Sequence, residues 1–362
     1  MGIDRYIDTL VLAGGGHAHA LLLAHWARQS RLRPPGAVLL ISRRSTMTYS
    51  GLVPAVVAGL VPPAAARVDL AGLCRRAGVT LLVAEIVGLD PVGRRLELAG
   101  RAAVPFRWLS LNVGAVPAAV AAPERPVRPL DEGLAQLLAL TLPGPGQPPL
   151  PGLAVRIRGG GATAVELALA LRARGLAPRL LLRGQRLRLG PAAAARCAEA
   201  LLAAAGIAVE RGVGLERPAD LACTGGLAPP WLAAAGLPVD PASGRVLTAD
   251  TLQVIGHPWL FATGDCALVA SRPRPAAGVW AVRAELVLAR NLARAMAGRP
   301  GLQHWRPPPW ALQLIGDGGA VLGRPRALGL WGPLVLGPTG MLWRLKRALD
   351  QRFLARLRRQ GG

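Results

Sequence analysis

Short apolar runs alternate with longer stretches of helical period along most of the chain, and glycine marks where one gives way to the other. Thr9–Ala13 is a continuous apolar run that ends on Gly14–Gly15–Gly16–His17–Ala18–His19. Ala20–Gln29 then follows a helical period, and Ala37–Ser42 is again a short apolar run. Strand, glycine turn, helix and strand make a βαβ unit. The same order recurs at Leu153–Ile157, Gly159–Gly160–Gly161–Ala162–Thr163–Ala164, Val165–Arg174 and Arg179–Leu182. The two glycine turns lie 145 positions apart, which indicates a duplicated unit rather than a solenoid period.

Between the units, Leu81–Val87 and Leu96–Leu98 read as strands, and Leu109–Gly114 as a strand ending on glycine. Leu142–Pro151 is rich in Pro and Gly and reads as a linker. Later, Leu221–Gly226 and Trp259–Asp265 read as strands, and Val279–Ala297 and Met341–Arg359 as helices. The fold class predicted is α/β.

The glycine turns carry the first chemistry. In G-x-G-x-x-G, the first glycine allows the tight turn and the second lets a pyrophosphate approach the backbone. The third lets helix and strand pack closely, with the phosphates on the helix N-terminus. Gly14 and Gly16 fill the first two places, with His19 in the third; Gly159 and Gly161 do the same, with Ala164 third. One such turn is an ordinary loop about as often as a site, but two in the same context predict dinucleotide binding. Neither unit has the acidic residue that meets the ribose hydroxyls. The second strands end in Ser42–Arg43–Arg44 and Arg183–Gly184–Gln185, where Arg183 and Arg186 suit a 2′-phosphate. NADH and NADPH both stay open.

The net charge of +23 favours anionic partners: nucleotide phosphates, acidic lipid or nucleic acid. Of the 43 basic residues 42 are arginine, spread along the whole chain, so a single arginine says little about a site. Aromatics at 4% leave out the basic-aromatic interleaving of nucleic-acid binders, and no nucleic acid partner is expected. Cys74, Cys197, Cys223 and Cys266 are far apart, which argues against a disulfide framework, a zinc site or a redox dithiol motif. His17 and His19 have no third ligand, so no metal is expected. Met1–Asp8 does not read as a signal peptide. No apolar run reaches the roughly 18 residues of a spanning helix; Leu328–Trp343 is broken by Gly and Pro. A cytoplasmic chain is expected.

GGGHAH (14–19), TYSGLVPAVVAG (48–59), LNVGA (111–115), GGGATAVELA (159–168), CTGG (223–226) and FATGD (261–265) occur in this order. The order resembles the pyridine nucleotide-disulfide oxidoreductase superfamily, and within it the type II NADH dehydrogenase and sulfide:quinone reductase branch. Nearer still is the flavoprotein module found fused ahead of selenide, water dikinase. That module also has GGGHxH, a Y-S-G-x-x-P segment and an R-P-x-x-A-G-V-x-A-V-R stretch, matched here by 274–283, which is one position shorter.

The resemblance implies two Rossmann-like dinucleotide-binding domains, the NAD-type one inserted into a discontinuous FAD-binding domain. The boundaries expected are 1–145 and 246–325 for the FAD domain, 146–245 for a shortened NAD(P) domain, and 326–362 for a basic tail. It further implies that Gly14, Gly16 and His17 cradle the FAD pyrophosphate, with Ser42 and Arg43 near the adenosine. The Ile86 backbone would meet adenine, and Asn112–Gly114 would close over the nucleotide. Gly264 and Asp265 would serve the ribityl chain, and Pro54 would lie near the isoalloxazine. Gly159, Gly161 and Glu166, helped by Thr224 and Gly225, would face the nicotinamide nucleotide. From the residues alone, Asp265 could equally cap a turn and Glu166 could be a charge in a helix's first turn.

Two departures from the family's pattern matter. The Gln-Pro expected near the flavin is replaced around Ala284–Glu285–Leu286, and Ala276 replaces a lysine. The segment from Gly206 to Cys223 is also short for the usual hairpin. The reaction implied takes electrons from NAD(P)H through FAD to a quinone-like acceptor, with Glu166 and Glu285 as the carboxylates to test. A sulfide:quinone reductase-like enzyme and a non-catalytic or degenerate FAD-binding protein are the alternatives.

In 341–359, Leu342, Leu345, Leu349, Phe353 and Leu357 recur at helical spacing among seven basic residues. Such a helix suits the surface of an anionic membrane, on its cytoplasmic face, or packing on the protein itself or on a second subunit.

Overall fold

The computed structural model describes residues 9–118, 123–141 and 152–358. The expected linker Leu142–Pro151, the 145/146 boundary, Met1–Asp8 and Arg359 lie outside the described residues.

The first apolar run, Leu10–Ala13, is an interior strand of an eight-stranded sheet, third from one edge. It pairs in parallel with Val38–Ser42 on one side and Trp108–Leu111 on the other. Thr80–Val83 extends one edge, and His257–Ala262 joins Trp108–Leu111 in parallel on the other. Gln253–Val254, Val246–Thr248 and Ala267–Val269 complete the sheet. Burial on both faces explains why these strands read as unbroken apolar runs rather than alternating ones. One face packs on helices His17–Arg28, Leu70–Ala77 and Gly278–Met296; the other buries a cluster around Val11, Ile41, Leu96, Leu109 and Leu260.

A second sheet has the order Arg125–Pro126, Leu221–Ala222, Ala154–Arg158, Ala177–Leu181 and Ala208–Glu210, with every pairing parallel. No strand lies between Glu210 and Leu221, where the family pattern has a hairpin. The protein therefore has the α/β fold with two Rossmann-type units.

The run Leu81–Val87, expected as one strand, is divided. Thr80–Val83 stays in the large sheet, and Ile86–Asp90 enters an antiparallel sheet with Arg95–Leu98 and Arg101–Pro105. Apolar periodicity does not reveal a change of sheet in mid-run.

The tail also departs from expectation. Gln313–Gly316, Ala327–Trp331 and Leu334–Thr339 form an antiparallel sheet on which the helix Gly340–Arg358 packs. Of the five apolar residues in the helix's stripe, Leu342, Phe353 and Leu357 are buried against the protein. Leu345 and Leu349 are left exposed, with Met341 beside them. The wider apolar face is thus used for intramolecular packing, because it covers the strands and the first helix at once. Among the described residues no helix is long and apolar enough to cross a membrane.

Candidate functional site

Three parallel strands end level with one another: Ala13 is in register with Leu111, and Leu111 with Ala262. The segments just beyond those strand ends, Gly14–Gly16, Asn112 and Thr263–Asp265, must therefore meet at one edge of the sheet. Asn112, 3% exposed, ties the three together. Its Oδ1 accepts from the Ala18 N–H at 3.2 Å and its Nδ2 donates to the Thr263 carbonyl at 2.9 Å. Gly14, at φ +92°, has no room for a side chain, because a Cβ there would stand 2.5 Å from the Asn112 carbonyl oxygen. A Cβ on Gly16 or Gly264 would strike the Asn112 amide.

His19 has an equally local purpose. Its Nδ1 lies 2.7 Å from the Gly14 carbonyl and its Nε2 2.8 Å from Ser110 Oγ. A carbonyl only accepts, so Nδ1 carries the proton and Nε2 accepts from the serine. Burial lowers the His19 pKa to about 4, so the ring is neutral and both its nitrogens are engaged. His19 thus clamps the glycine turn to the neighbouring strand and is not free to bind a metal.

The meeting point opens into a cleft of about 570 Å³. Of the residues expected to hold FAD, Gly14, Gly16, His17, Ser42, Arg43, Ile86, Asn112, Gly114, Gly264 and Asp265 all line it. Two buried atoms in this wall have no partner: His17 Nε2 and Asp265 Oδ1. A buried polar atom left unpaired costs about 1–3 kcal/mol, so both are suited to a polar ligand. Burial first, and Arg128 second, hold His17 down to about 4 against the pull of Asp265. His17 is therefore neutral at pH 7 and offers a hydrogen bond rather than a charge.

Arg128, which no motif in the sequence marks, pairs with Asp265 at 3.0 Å and lines the cleft with Arg43 and Arg44. Arg43 and Arg44 in turn lie within 4 Å of Glu132 in the first turn of the helix Leu130–Thr141. The cleft also takes in Thr48 and Ser50 of the TYSGLVPAVVAG segment, and Thr46, Met47 and Pro229–Trp231, which no motif marks.

Pro54 is not brought to the cleft; it sits in the short helix Val53–Val57 and is half-buried. Glu166 is not in an open crevice either. Its Oε1 accepts from the Gly316 N–H at 2.9 Å and lies 3.4 Å from Lys346 Nζ on the C-terminal helix. Lys346 also donates to the Gly51 carbonyl at 3.2 Å and lies 4.0 Å from Asp350, which accepts from the Tyr49 hydroxyl at 2.8 Å. Tyr49 stacks on Phe353 at 4.4 Å and meets the His17 ring edge-on at 5.7 Å. The end of the cleft at His17 and Ser50 is therefore backed by a buried network from the C-terminal helix. Glu285, fully buried, pairs with His25 at 3.2 Å and Arg356 at 3.3 Å, again holding that helix. Its place is under the C-terminal helix and not in the cleft wall.

In the second unit, Gly159 (φ +143°) leaves no room for a Cβ against the Cys223 carbonyl, while the space in front of Gly161 is open. The Arg188 N–H donates to the Gly160 carbonyl at 2.7 Å, which brings the loop carrying exposed Arg183 and Arg186 over the turn. Thr224 and Gly225 follow the strand Leu221–Ala222, beside Ala154–Arg158, which leads into the turn. Arg158, 3% exposed, is held by Glu124 at 2.7 Å.

Neither a protein-family model nor a curated protein sequence matches the chain. Solved structures do. The chain is similar to the sulfide:quinone oxidoreductase of Aquifex aeolicus, with a TM-score of 0.75 and 17% identity over 97% of this chain and 91% of that one. It is similar to a ferredoxin reductase from Rhodopseudomonas palustris, with a TM-score of 0.68 and 21% identity over 90% and 88%. A third is an NAD-dependent persulfide reductase from A. fulgidus, with a TM-score of 0.68 and 16% identity over 94% of this chain and 66% of that one. All three likenesses are of fold.

Proposed function

We propose that the protein is an FAD-dependent oxidoreductase and that the cleft is its flavin site. The observation that carries this reading is the pair of orphaned buried atoms, His17 Nε2 and Asp265 Oδ1, in a cleft whose glycine wall admits no side chain. The turn Gly14–Gly16 at the N-terminus of the helix His17–Arg28 presents N–H groups to the pyrophosphate. Arg43, Arg44 and Arg128 balance its charge. Asp265 accepts from the ribityl hydroxyls, and neutral His17 adds one hydrogen bond. Ser42 and the Ile86 backbone serve the adenosine end. FAD supplies reversible two-electron chemistry, here between NAD(P)H as donor and a quinone-like acceptor. Gly159, Gly161, Thr224 and Gly225 hold the donor's phosphates, and Met341, Leu345 and Leu349, flanked by Arg344 and Arg352, touch an anionic membrane where such an acceptor resides.

The solved structures support the reading by the names they carry: a sulfide:quinone oxidoreductase, a ferredoxin reductase and an NAD-dependent persulfide reductase. A second reading is favoured by Glu166, whose carboxylate is already engaged by Lys346 and Gly316. In it the protein binds FAD but takes no electrons from nicotinamide. Sulfide oxidation through a cysteine pair has less support. Cys266 is fully buried, its thiol raised to about 11 by burial, and Cys223 is raised to about 12 for the same reason. A thiol held so high is protonated and a poor nucleophile.

Purified protein should be yellow and release FAD on denaturation. Anaerobic NADH or NADPH should bleach it within seconds. A yellow protein that neither nucleotide reduces leaves the second reading standing, and a colourless one that takes up no FAD overturns both.

A further inference from the structure

A second, smaller cavity lies behind the cleft and shares Gly264 with its wall. Its volume is about 40 Å³. A water needs roughly 10–15 Å³ on the same measure, so the space suits a small polyatomic group the size of a few waters. Thr248 and Thr263 line it, at 0% and 3% exposure, and the hydroxyl of each has no partner. Arg245 lines it as well, with its Nε buried and unpartnered while Nη1 donates to the Arg274 carbonyl at 2.7 Å.

The other polar groups around the cavity are cationic. Arg272 and Arg274 line it, with Trp280 and Trp305 as apolar walls. Arg274 reaches only backbone carbonyls, those of Pro273 and Pro308. Among the described residues no carboxylate lies within ion-pair distance of Arg245. Burial lowers its pKa, and the more distant fields of Asp265 and Asp240 do not make up for it; Asp265 is itself paired with Arg128. Arg274 and Trp280 belong to the 274–283 stretch, which the flavin cleft uses only through Gly278 and Ala281.

Two hydroxyls and a guanidinium N–H among the lining residues are buried and without partners, at a cavity with three arginines and no carboxylate in its lining. Such a set is complete only when an acceptor-rich, negatively charged group enters it. The geometry points to a binding site for a small oxyanion, a carboxylate or an inorganic oxyanion, held by Arg245, Thr248 and Thr263 and reached past Arg272 and Arg274. The site is independent of the flavin reading, since none of these five residues is assigned to the cofactor.

The test is calorimetric titration of the full-length protein with inorganic phosphate and, separately, with acetate, at constant ionic strength. At least one should give a single saturable site. Thr248→Val, which keeps the shape and removes an unpaired hydroxyl, should weaken binding at least tenfold. Thr248→Ser should restore it, and Arg272→Gln, a change at the exposed rim, should weaken it several-fold. Thermal melts of each variant check that the fold is intact. Phosphate binding alone identifies an inorganic oxyanion, and acetate binding alone a carboxylate; either supports the site. Heat from neither anion overturns it. So does binding that Thr248→Val leaves unchanged, because the anion is then held elsewhere.

Discussion

Replacing Lys346 with methionine tests how the C-terminal helix is held. Lys346 is the only lysine in the chain, 7% exposed, and stands between Glu166 and Asp350 with the Gly51 carbonyl beside it. Desolvation alone would lower its pKa, but attraction to Glu166 and Asp350 outweighs this and raises it. Methionine nearly conserves the volume, so the loss is electrostatic: two buried carboxylates are left without their cation. Breaking a buried pair from one side costs about 3–5 kcal/mol, a large part of the roughly 5–15 kcal/mol that holds a domain folded.

The pH dependence comes from the carboxylates. Burial already raises both Glu166 and Asp350 in the native protein, and removing the cation raises them further. A carboxylate whose folded pKa lies above its unfolded one binds a proton more readily in the fold, so its penalty is present above the folded pKa and relieved as pH falls. The deficit of Lys346→Met should therefore be largest near about pH 7.5 and shrink towards about pH 5, nearer the carboxylate range. Urea midpoints followed by tryptophan fluorescence, to which half-buried Trp343 on the same helix contributes, measure it. Adding Glu166→Gln should recover part of the loss. A deficit below about 1 kcal/mol, of the size of an exposed pair, or one that grows on acidification, would refute the reasoning.

Further predictions concern the cleft. Gly14→Ala, at φ +92° and facing the Asn112 carbonyl, should abolish flavin retention, read as the absorbance ratio of purified protein. Asp265→Asn keeps the shape but removes the charge that pairs with Arg128 and that the flavin reading assigns to the ribityl hydroxyls, and should weaken FAD reconstitution at least tenfold. His19→Gly restores the general glycine pattern yet orphans the Gly14 carbonyl and the Ser110 hydroxyl, and should cost about 2–5 kcal/mol in a denaturation series. His17 and His19 are both lowered to about 4 from 6.5, so the unfolded chain takes up protons that the fold refuses. Their stabilisation is complete above pH 6.5 and lost as pH falls towards about 4, and melts of His19→Asn should lose less over that interval than the parent.

Much of the fold was legible in the chain because its cause is local. Glycines at 14 and 159 end buried parallel strands whose apolar runs are unmistakable, and the cleft residues they imply do line one cavity. Other features depend on distant partners. Arg128 acquires its place from Asp265, and nothing around Arg128 announces it among 42 arginines. The resemblance put Glu166 at the nicotinamide nucleotide, but its surroundings are set by Lys346, 180 positions later. The stripe Leu342–Leu357 fitted a membrane slightly better than a protein surface, and only its neighbours show that Leu342, Phe353 and Leu357 are buried against the protein. His19 was readable as a departure from the general glycine pattern and a match to GGGHxH, but not as a clamp, since the bond to Ser110 crosses 91 positions.

The tie made by Asn112 has a consequence for synthesis. The cleft's two walls are Gly14 and Asp265, 251 positions apart, and Asn112 joins them only after the strand His257–Ala262 has taken its place beside Trp108–Leu111. While the ribosome is still adding the intervening inserted unit, the first βαβ unit is present with its turn exposed and one wall missing. A nascent chain of that length lacks the second wall of the cleft, so strand insertion and closure of the proposed flavin site are the same event.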